Sequence, residues 1–583
     1  MRILLHSRLF GGKGLIFALS ILVGLVSALA ALAMKNLCHG IARLPPLLAG
    51  QGVLRYWLLP AFPALGILLC LLFVRFVLRR QSYVKGLDSV IQSGRGNAEL
   101  PFYHTYAHIF TSAVAVGLGG SAGLEAPSAL TGSAIGANVA KFFRLGRESR
   151  ILLLACGGAA GIAAVFDSPL AGTLFACEIL LPAFSLSALV PLLLSAATAA
   201  VLARLLQSGQ HFMQTQGTQW NLFNLHYYLL IGLACGIVSA YIIKVSLSIG
   251  RKMEALRSLW LKALLGAALL YVFFLLFPVL MGEGYKHIIE LAGNQGDSLL
   301  RSALPPFLRH PALWLALLPL LFLLKPIVST LSVESGGDGG IFGPSLFCGA
   351  LLGYFAYELS LRLGARVSTP VPFICAGMGG ILAGVMHAPL TGIFLVAELT
   401  GGFELLIPLM IVSSLSSFVS RNLAGHNLYK SIIAQKGGIA ELQEESALLS
   451  NVRIGELMRR DFVSLSERQT LRSLLEIMLD TRQNIFPVLN KEQQIVGMIR
   501  EEQVRPFFFK QSIYDLVLAR DLMSPPEPAL SPEDSLVEAS RLFDQENSWH
   551  LPVCDQGKYL GLISKAELLD YYKNVLRQRS ELF

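Results

Sequence analysis

Apolar runs follow one another from the N-terminus to about residue 436 and then stop. The first, Leu15 to Ala33, spans about 19 residues, close to the ~20 that a helix needs to cross a bilayer. Arg2, Arg8 and Lys13 precede it. That order resembles a secretory signal peptide. Its length and the runs behind it make it instead the first membrane helix, with its basic start on the cytoplasmic side. Many later runs are shorter and are interrupted by Gly or Pro, among them Ala113 to Gly123, Ile151 to Val165 and Ile374 to Met386. In lipid, a broken backbone survives only where protein or a watery cavity satisfies its polar groups. Short, broken segments therefore predict a substrate pathway. Gly437 to Asn451 is a polar linker with Glu441, Glu444 and Glu445. From Val452 to Phe583, amphipathic helices alternate with short β runs.

Two internal repeats sharpen this picture. Pro169-Leu-Ala-Gly-Thr-Leu-Phe-Ala-Cys-Glu178 matches Pro389-Leu-Thr-Gly-Ile-Phe-Leu-Val-Ala-Glu398. Upstream, Gly123-Leu-Glu-Ala-Pro127-Ser128 and Gly132 match Gly340-Ile-Phe-Gly-Pro344-Ser345 and Gly349. The two blocks keep their order and nearly the same displacement, so the apolar region is a duplicated unit, as in many transporters. In the tail, Leu457-Met458 matches Leu522-Met523, and Ile485-Phe-Pro-Val488 matches His550-Leu-Pro-Val553. Each half reads helix, short strand, helix, strand, turn, strand, closing on Val496 to Ile499 and Leu560 to Ile563. These halves resemble a tandem pair of CBS modules.

Composition agrees. The chain is 54% hydrophobic and 15% charged, against about 25% charged in a soluble protein, and its mean hydropathy is +0.59. The net charge of +9 comes from short clusters between apolar runs: Arg79 and Arg80, Arg144 to Arg150, Arg251 and Lys252. Such clusters fit the excess of positive charge in cytoplasmic loops, not the continuous basic face of a nucleic-acid binder. The eight cysteines form no C-x-x-C pair, so they are read as small buried hydrophobes rather than disulfides or zinc ligands.

The duplicated motifs carry the chemistry. Helix N-termini hold roughly half a positive charge and several free N–H donors, so a glycine turn entering a helix is an anion cradle. Gly119 to Pro127 leads into Ser128 to Ala137, and Gly336 to Pro344 leads into Ser345 to Leu352. Proline at a first helical position costs little there. Glycines that merely allow close helix packing are the bland alternative. Two copies with matched Gly and Pro positions favour anion binding. Glu125, an ionisable group at membrane depth, is costly to bury and therefore a candidate functional residue.

These residues resemble the CLC family of chloride channels and anion/proton exchangers. Gly123-Leu-Glu125-Ala-Pro127 is similar to its Gly-x-Glu-Gly-Pro motif, and Gly340-Ile-Phe-Gly-Pro344 to its Gly-x-Phe-x-Pro. Asp167 to Gly172 resembles the stretch between them, and Leu428-Tyr429-Lys430 the segment with the pore tyrosine. A following CBS pair is also common in the family. The resemblance implies an all-α polytopic membrane domain of two inverted repeats with broken, tilted helices, then an α/β CBS pair. The expected domains are 1–436 for anion transport, 437–451 as linker, 452–515 as the first CBS module and 516–583 as the second. Glu125 would be the gate, swinging aside when protonated. The Ile341 and Phe342 amides and the Tyr429 hydroxyl would hold a central anion, and the Leu124 and Gly343 amides an outer one. The protein would be a homodimer with one chloride pathway per subunit, in a bacterial inner membrane with its tail in the cytoplasm.

The departures from the family matter. Its first motif, Gly-Ser-Gly-Ile-Pro, survives only as Gln81-Ser-Tyr-Val-Lys85, which makes Ser82 the candidate anion-contacting serine. Many exchangers carry two adjacent acids after the Pro-Leu-Ala-Gly stretch, whereas here Ile179 follows Glu178. Passive chloride conduction is therefore the first reading, and a chloride/proton antiporter without the usual inner acid the second. A CBS-regulated cation transporter comes third, because it would need clustered oxygen ligands in the membrane. Glu178 and Glu398 are read as structural, pairing with backbone N–H groups. CBS pairs that bind adenine nucleotides often have a Ser/Thr and an Asp after the last strand. Ser564 and Glu567 are the candidates here, with a dimerising platform as the alternative and no other cofactor expected. His104 and His108, at i, i+4 spacing, find no further metal ligands nearby in the sequence. Asp338 only loosely resembles the Gly-x-Gly-Asp of intramembrane proteases, and His-Glu never occurs. The chain is thus read as no enzyme.

Overall fold

Backbone packed on backbone builds the membrane unit, and glycine permits it. The computed structural model describes residues 12–50, 53–79, 83, 85–95, 98–182, 186–207, 220–256, 258–293, 314–365, 367, 369–401, 403–435, 453–481, 483–546 and 548–571. The chain divides between Gly437 and Gly438 into two units. Among the described residues of the first, eight helical stretches are long and apolar enough to cross a membrane. Shorter apolar helices, such as Ala107–Gly117 and Val371–Met386, lie among them.

The helices that matter for the site are α1 (Gly12–Ile41), α2 (Asp88–Arg95), α3 (Ala107–Gly117), α4 (Glu125–Phe142), α5 (Arg147–Phe166) and α6 (Pro169–Phe175), followed by α7 (Tyr285–Ala292), α8 (Trp314–Glu334), α9 (Phe342–Arg362), α10 (Val371–Met386), α11 (Pro389–Thr400) and α12 (Leu428–Gln435). The first helix outruns the expected Ala33. Lys35 does not end it, because its Nζ donates to the Val165 carbonyl at 3.1 Å and buried Met34 and Cys38 continue the packed face.

Duplication in the sequence becomes duplication in packing. A Cβ at Gly132 on α4 would strike the carbonyl of Gly157 on α5, and one at Gly157 would strike the carbonyl of Gly132. The second repeat does the same with Gly349 on α9 and Gly377 on α10. Helices that touch at glycine gain close van der Waals contact without any aqueous hydrophobic drive. α5 and α10 both end on a left-handed residue, Asp167 (φ 55°) and His387 (φ 52°).

The repeats also cap one another. Glu178 accepts hydrogen bonds from the N–H groups of Leu390 (3.1 Å) and Thr391 (2.7 Å) and from the Thr391 hydroxyl (2.7 Å), at the start of α11. Glu398 accepts from the N–H groups of Leu170 (3.2 Å) and Ala171 (2.9 Å), at the start of α6. Each carboxylate satisfies orphan donors of the other repeat, the structural role expected of this pair. The two inverted repeats are thus tied to each other by reciprocal caps.

The second unit is α/β. The parallel pair β1 (Leu465–Ser466) and β2 (Ile485–Leu489) continues antiparallel into β3 (Ile495–Arg500), while β4 (His550–Asp555) pairs antiparallel with β5 (Lys558–Ser564). The second half lacks a full copy of β1 among the described residues and keeps a single parallel bridge, Leu530 to Val553. The halves exchange their leading segments. Ile454 and Met458 are buried in a core with Leu536, Phe543 and Val553, whereas Ala519 is buried with Leu465, Phe486 and Ile499.

Candidate anion pathway

The two glycine motifs meet head to head. Gly123 and Gly340 form an antiparallel bridge, each N–H donating to the other's carbonyl at 2.8 Å. From this bridge α4 and α9 depart, with Leu124 and Ile341 as their N-caps. Glu125 and Phe342 are therefore equivalent first residues of two helices whose free amides converge. Both helices start three residues earlier than the small-residue runs predict. Pro127 and Pro344 fall at the third helical position rather than the first. A missing N–H is no loss there either, because the third N–H is also an orphan.

Glu125 is fully buried. Its carboxylate folds back over residue 123, where any Cβ would collide with Oε2. A Cβ at Gly343 would lie 3.2 Å from Oε1 and 3.3 Å from the Tyr285 hydroxyl. The carboxylate therefore sits between one glycine of each repeat. The Tyr285 hydroxyl donates to Oε1, and the Gly343 and Glu125 amides face the same group.

A cavity opens on each side. One, of about 430 Å³, is lined by Ala126, Ile341, Tyr429, Tyr83 and Lys85. The other, of about 500 Å³, is lined by Leu124, Tyr285, Glu283, Lys35 and Arg204. Leu124 lines one cavity and Ala126 the other, with Glu125 between these two residues in the chain. Tyr429 is buried on α12, and its hydroxyl has no hydrogen-bond partner among the described residues. Phe342 is fully buried, with its ring against Phe166 and Phe175 at centroid distances of 5.8 and 6.2 Å. The structure thus brings Leu124, Glu125, Ile341, Phe342 and Gly343 to one point, with Tyr429 on the wall of the adjoining cavity. Ser82 lies outside the described residues.

Lys85 donates from Nζ to the Gly337 carbonyl at 2.6 Å, in the turn before α9. Ile179 is buried beside Glu178. In the tail, Ser564 and Glu567 bond one another's backbone. The Ser564 N–H donates to the Glu567 carboxylate (2.8 Å) and the Glu567 N–H to the Ser564 hydroxyl (3.2 Å). Together they form the N-cap of the helix that begins at residue 565.

Sequence reasoning missed the loop before α7. Glu283 and Tyr285 were detectable as polar groups in the glycine turn Met281-Gly-Glu-Gly-Tyr285, and Lys325 as a lone cation in an apolar helix. It also undervalued Asp338. His104 and His108 do share a face, and it meets this acid from the other repeat. His108 Nδ1 lies 2.8 Å from Asp338 Oδ2, and His104 Nδ1 lies 2.9 Å from His108 Nε2.

Comparisons with known proteins agree with this architecture. Residues 65–421 match the family model described as voltage gated chloride channel, and residues 454–508 and 519–574 match the CBS domain. A ClcB-like protein of Ralstonia nicotianae is 29% identical over 427 residues, which cover 70% of this chain and 94% of the relative. The H+/Cl− exchange transporter ClcA of Vibrio campbellii is 32% identical over 337 residues, covering 55% of this chain and 67% of the relative. Among solved structures, a eukaryotic CLC transporter aligns with a TM-score of 0.60 at 20% identity, over 97% of this chain and 98% of its own. The chain belongs to the CLC family of membrane anion transporters and carries a C-terminal pair of CBS domains.

Proposed function

We propose that the chain conducts chloride, or a similar small anion, passively through a pathway gated by Glu125. One observation carries this reading: a buried carboxylate stands at the junction of two helix N-termini, with a cavity on either side. The Ile341 and Phe342 amides and the Tyr429 hydroxyl offer donors on one side of it, and the Leu124 and Gly343 amides on the other. A carboxylate and an anion compete for such donors, so protonation of Glu125 opens the path. Passive conduction is favoured over coupling because Ile179 stands where exchangers of the family carry an acid. The relatives named as H+/Cl− exchange transporters favour antiport as the second reading.

The subunits form a homodimer, each with its own pathway, in a bacterial inner membrane with the CBS pair in the cytoplasm. The basic clusters support that orientation. Ser564 and Glu567 already satisfy each other, which supports a capping role over contact with an adenine nucleotide.

Vesicles reconstituted with the full chain, loaded with chloride and given an external pH electrode, separate the two readings. Conduction predicts chloride efflux with no proton movement once the membrane potential is clamped by valinomycin and potassium. Proton uptake against its gradient, driven by chloride efflux, would overturn it in favour of antiport.

A further inference from the structure

Glu283 lines the same cavity as Leu124, and the pathway above gives it no role. It sits two residues before Tyr285, in the turn Met281 to Gly284 that precedes α7. Its carboxylate faces the backbone N–H of Leu124 on the wall of that cavity. An anion coming from this cavity would meet that same donor before reaching Glu125.

The turn is held in place from several sides. Lys325 on α8 is fully buried and donates from Nζ to the carbonyls of Leu280 (3.0 Å) and Gly282 (2.7 Å). The Gly282 N–H donates to the Gly119 carbonyl at 3.1 Å. Gly284 has φ +96°, and a Cβ there would lie 2.7 Å from the Phe347 ring. The backbone under Glu283 is thus fixed, while its side chain lines an open cavity.

The titratable groups facing Glu283 come from four elements: Glu125 from α4, Lys35 from α1, Lys325 from α8 and Tyr285 from α7. The Cys38 thiol of α1 lies in the same field. Both lysines are held by carbonyls, Lys35 by Val165 and Lys325 by its own two. They raise the local positive potential without withdrawing the Glu283 carboxylate from the Leu124 amide. Two carboxylates therefore rest on the donors of one helix junction, Glu283 on Leu124 and Glu125 beside Gly343.

We propose that Glu283 is a second gating carboxylate, in series with Glu125, that competes with the incoming anion for the Leu124 amide. The inference rests on the Glu125 pathway. Two interacting acids titrate as a pair, so opening follows two protons rather than one.

The test is chloride flux through vesicles containing the full chain, with the same pH on both sides, scanned from acid to neutral. Wild type is expected to open with a slope of about two protons, and Glu283→Gln with about one. Glu283→Gln also raises flux at neutral pH. Glu283→Asp, one methylene shorter, keeps the acid but withdraws it from the amide. It raises neutral flux and lowers the slope toward one, as Glu283→Gln does. Curves for both Glu283 variants that overlay wild type, while Glu125→Gln departs from it, would overturn the inference alone. Loss of flux in both monodisperse variants would overturn it equally. If Glu125→Gln also overlays wild type, the pathway reading itself fails.

Discussion

Replacing Asp338 by alanine is expected to lower stability by about 2–3 kcal/mol, the cost of removing the shared acceptor of a buried hydrogen-bond network. Asp338 is 3% exposed and sits in the turn that feeds the Gly123–Gly340 bridge. The hydroxyls of Thr111 and Tyr83 donate to its Oδ2, the latter at 3.3 Å, and His108 Nδ1 lies 2.8 Å away. Tyr83, His108 and Thr111 belong to the first repeat and Asp338 to the second. The carboxylate therefore locks the two halves together next to the helix junction. Alanine would remove the acceptor that the three share, leaving the Tyr83–His108 contact (2.8 Å) and the Thr111 hydroxyl's bond to the Ala107 carbonyl (3.0 Å); losing a buried hydrogen-bond partner costs about 1–3 kcal/mol. Asparagine keeps one acceptor oxygen and should fall between wild type and alanine. The measurement is the fraction surviving gel filtration after heating in detergent. A double variant, His108→Gln with Asp338→Asn, should lose less than the sum of its parts, because the two residues share one network. An Asp338→Ala protein with wild-type thermal survival would contradict this account.

The largest functional effect belongs to Glu125. Glutamine keeps the side chain's shape but cannot ionise. If the charged plug closes the path nine-tenths of the time at neutral pH, its removal raises flux about tenfold. The remaining pH response would then come from Glu283 alone. The Tyr285 hydroxyl donates to the Glu125 carboxylate, so Tyr285→Phe should raise neutral flux by a smaller factor while preserving both acids. Chloride efflux from vesicles at several pH values measures all three proteins. A Glu125→Gln variant with the flux and pH response of wild type would remove Glu125 from the gate.

Much of this site was legible in the sequence because it depends on backbone constraints. Gly123, Gly132, Gly340 and Gly349 are places where a Cβ does not fit, and such places repeat when a gene segment duplicates. The reciprocal caps of Glu178 and Glu398 followed from the same duplication. The start of each cradle helix is not marked by its proline, because the first turn already contains Glu125 or Phe342 two residues before it. The network of Asp338 and His108 was invisible as such. Its members lie on different repeats, and the i, i+4 histidines suggested only a metal. Glu283 and Tyr285 come from a loop outside both duplicated motifs, so nothing in the repeat pointed to them. The exchange of leading segments between the CBS halves is likewise tertiary, because Ile454 and Ala519 read equally well as core residues of their own halves.

In the proposed pathway the two helix starts and Tyr429 hold an anion beside Glu125. Bromide replaces chloride with little change in chemistry and scatters anomalously, so crystals grown in bromide test the claim most directly. The account predicts a bromide peak within hydrogen-bonding reach of the Ile341 and Phe342 amides and the Tyr429 hydroxyl, with a further peak at the Leu124 and Gly343 amides in Glu125→Gln crystals. Bromide peaks confined to other parts of the molecule, from protein that still conducts bromide in vesicles, would contradict it.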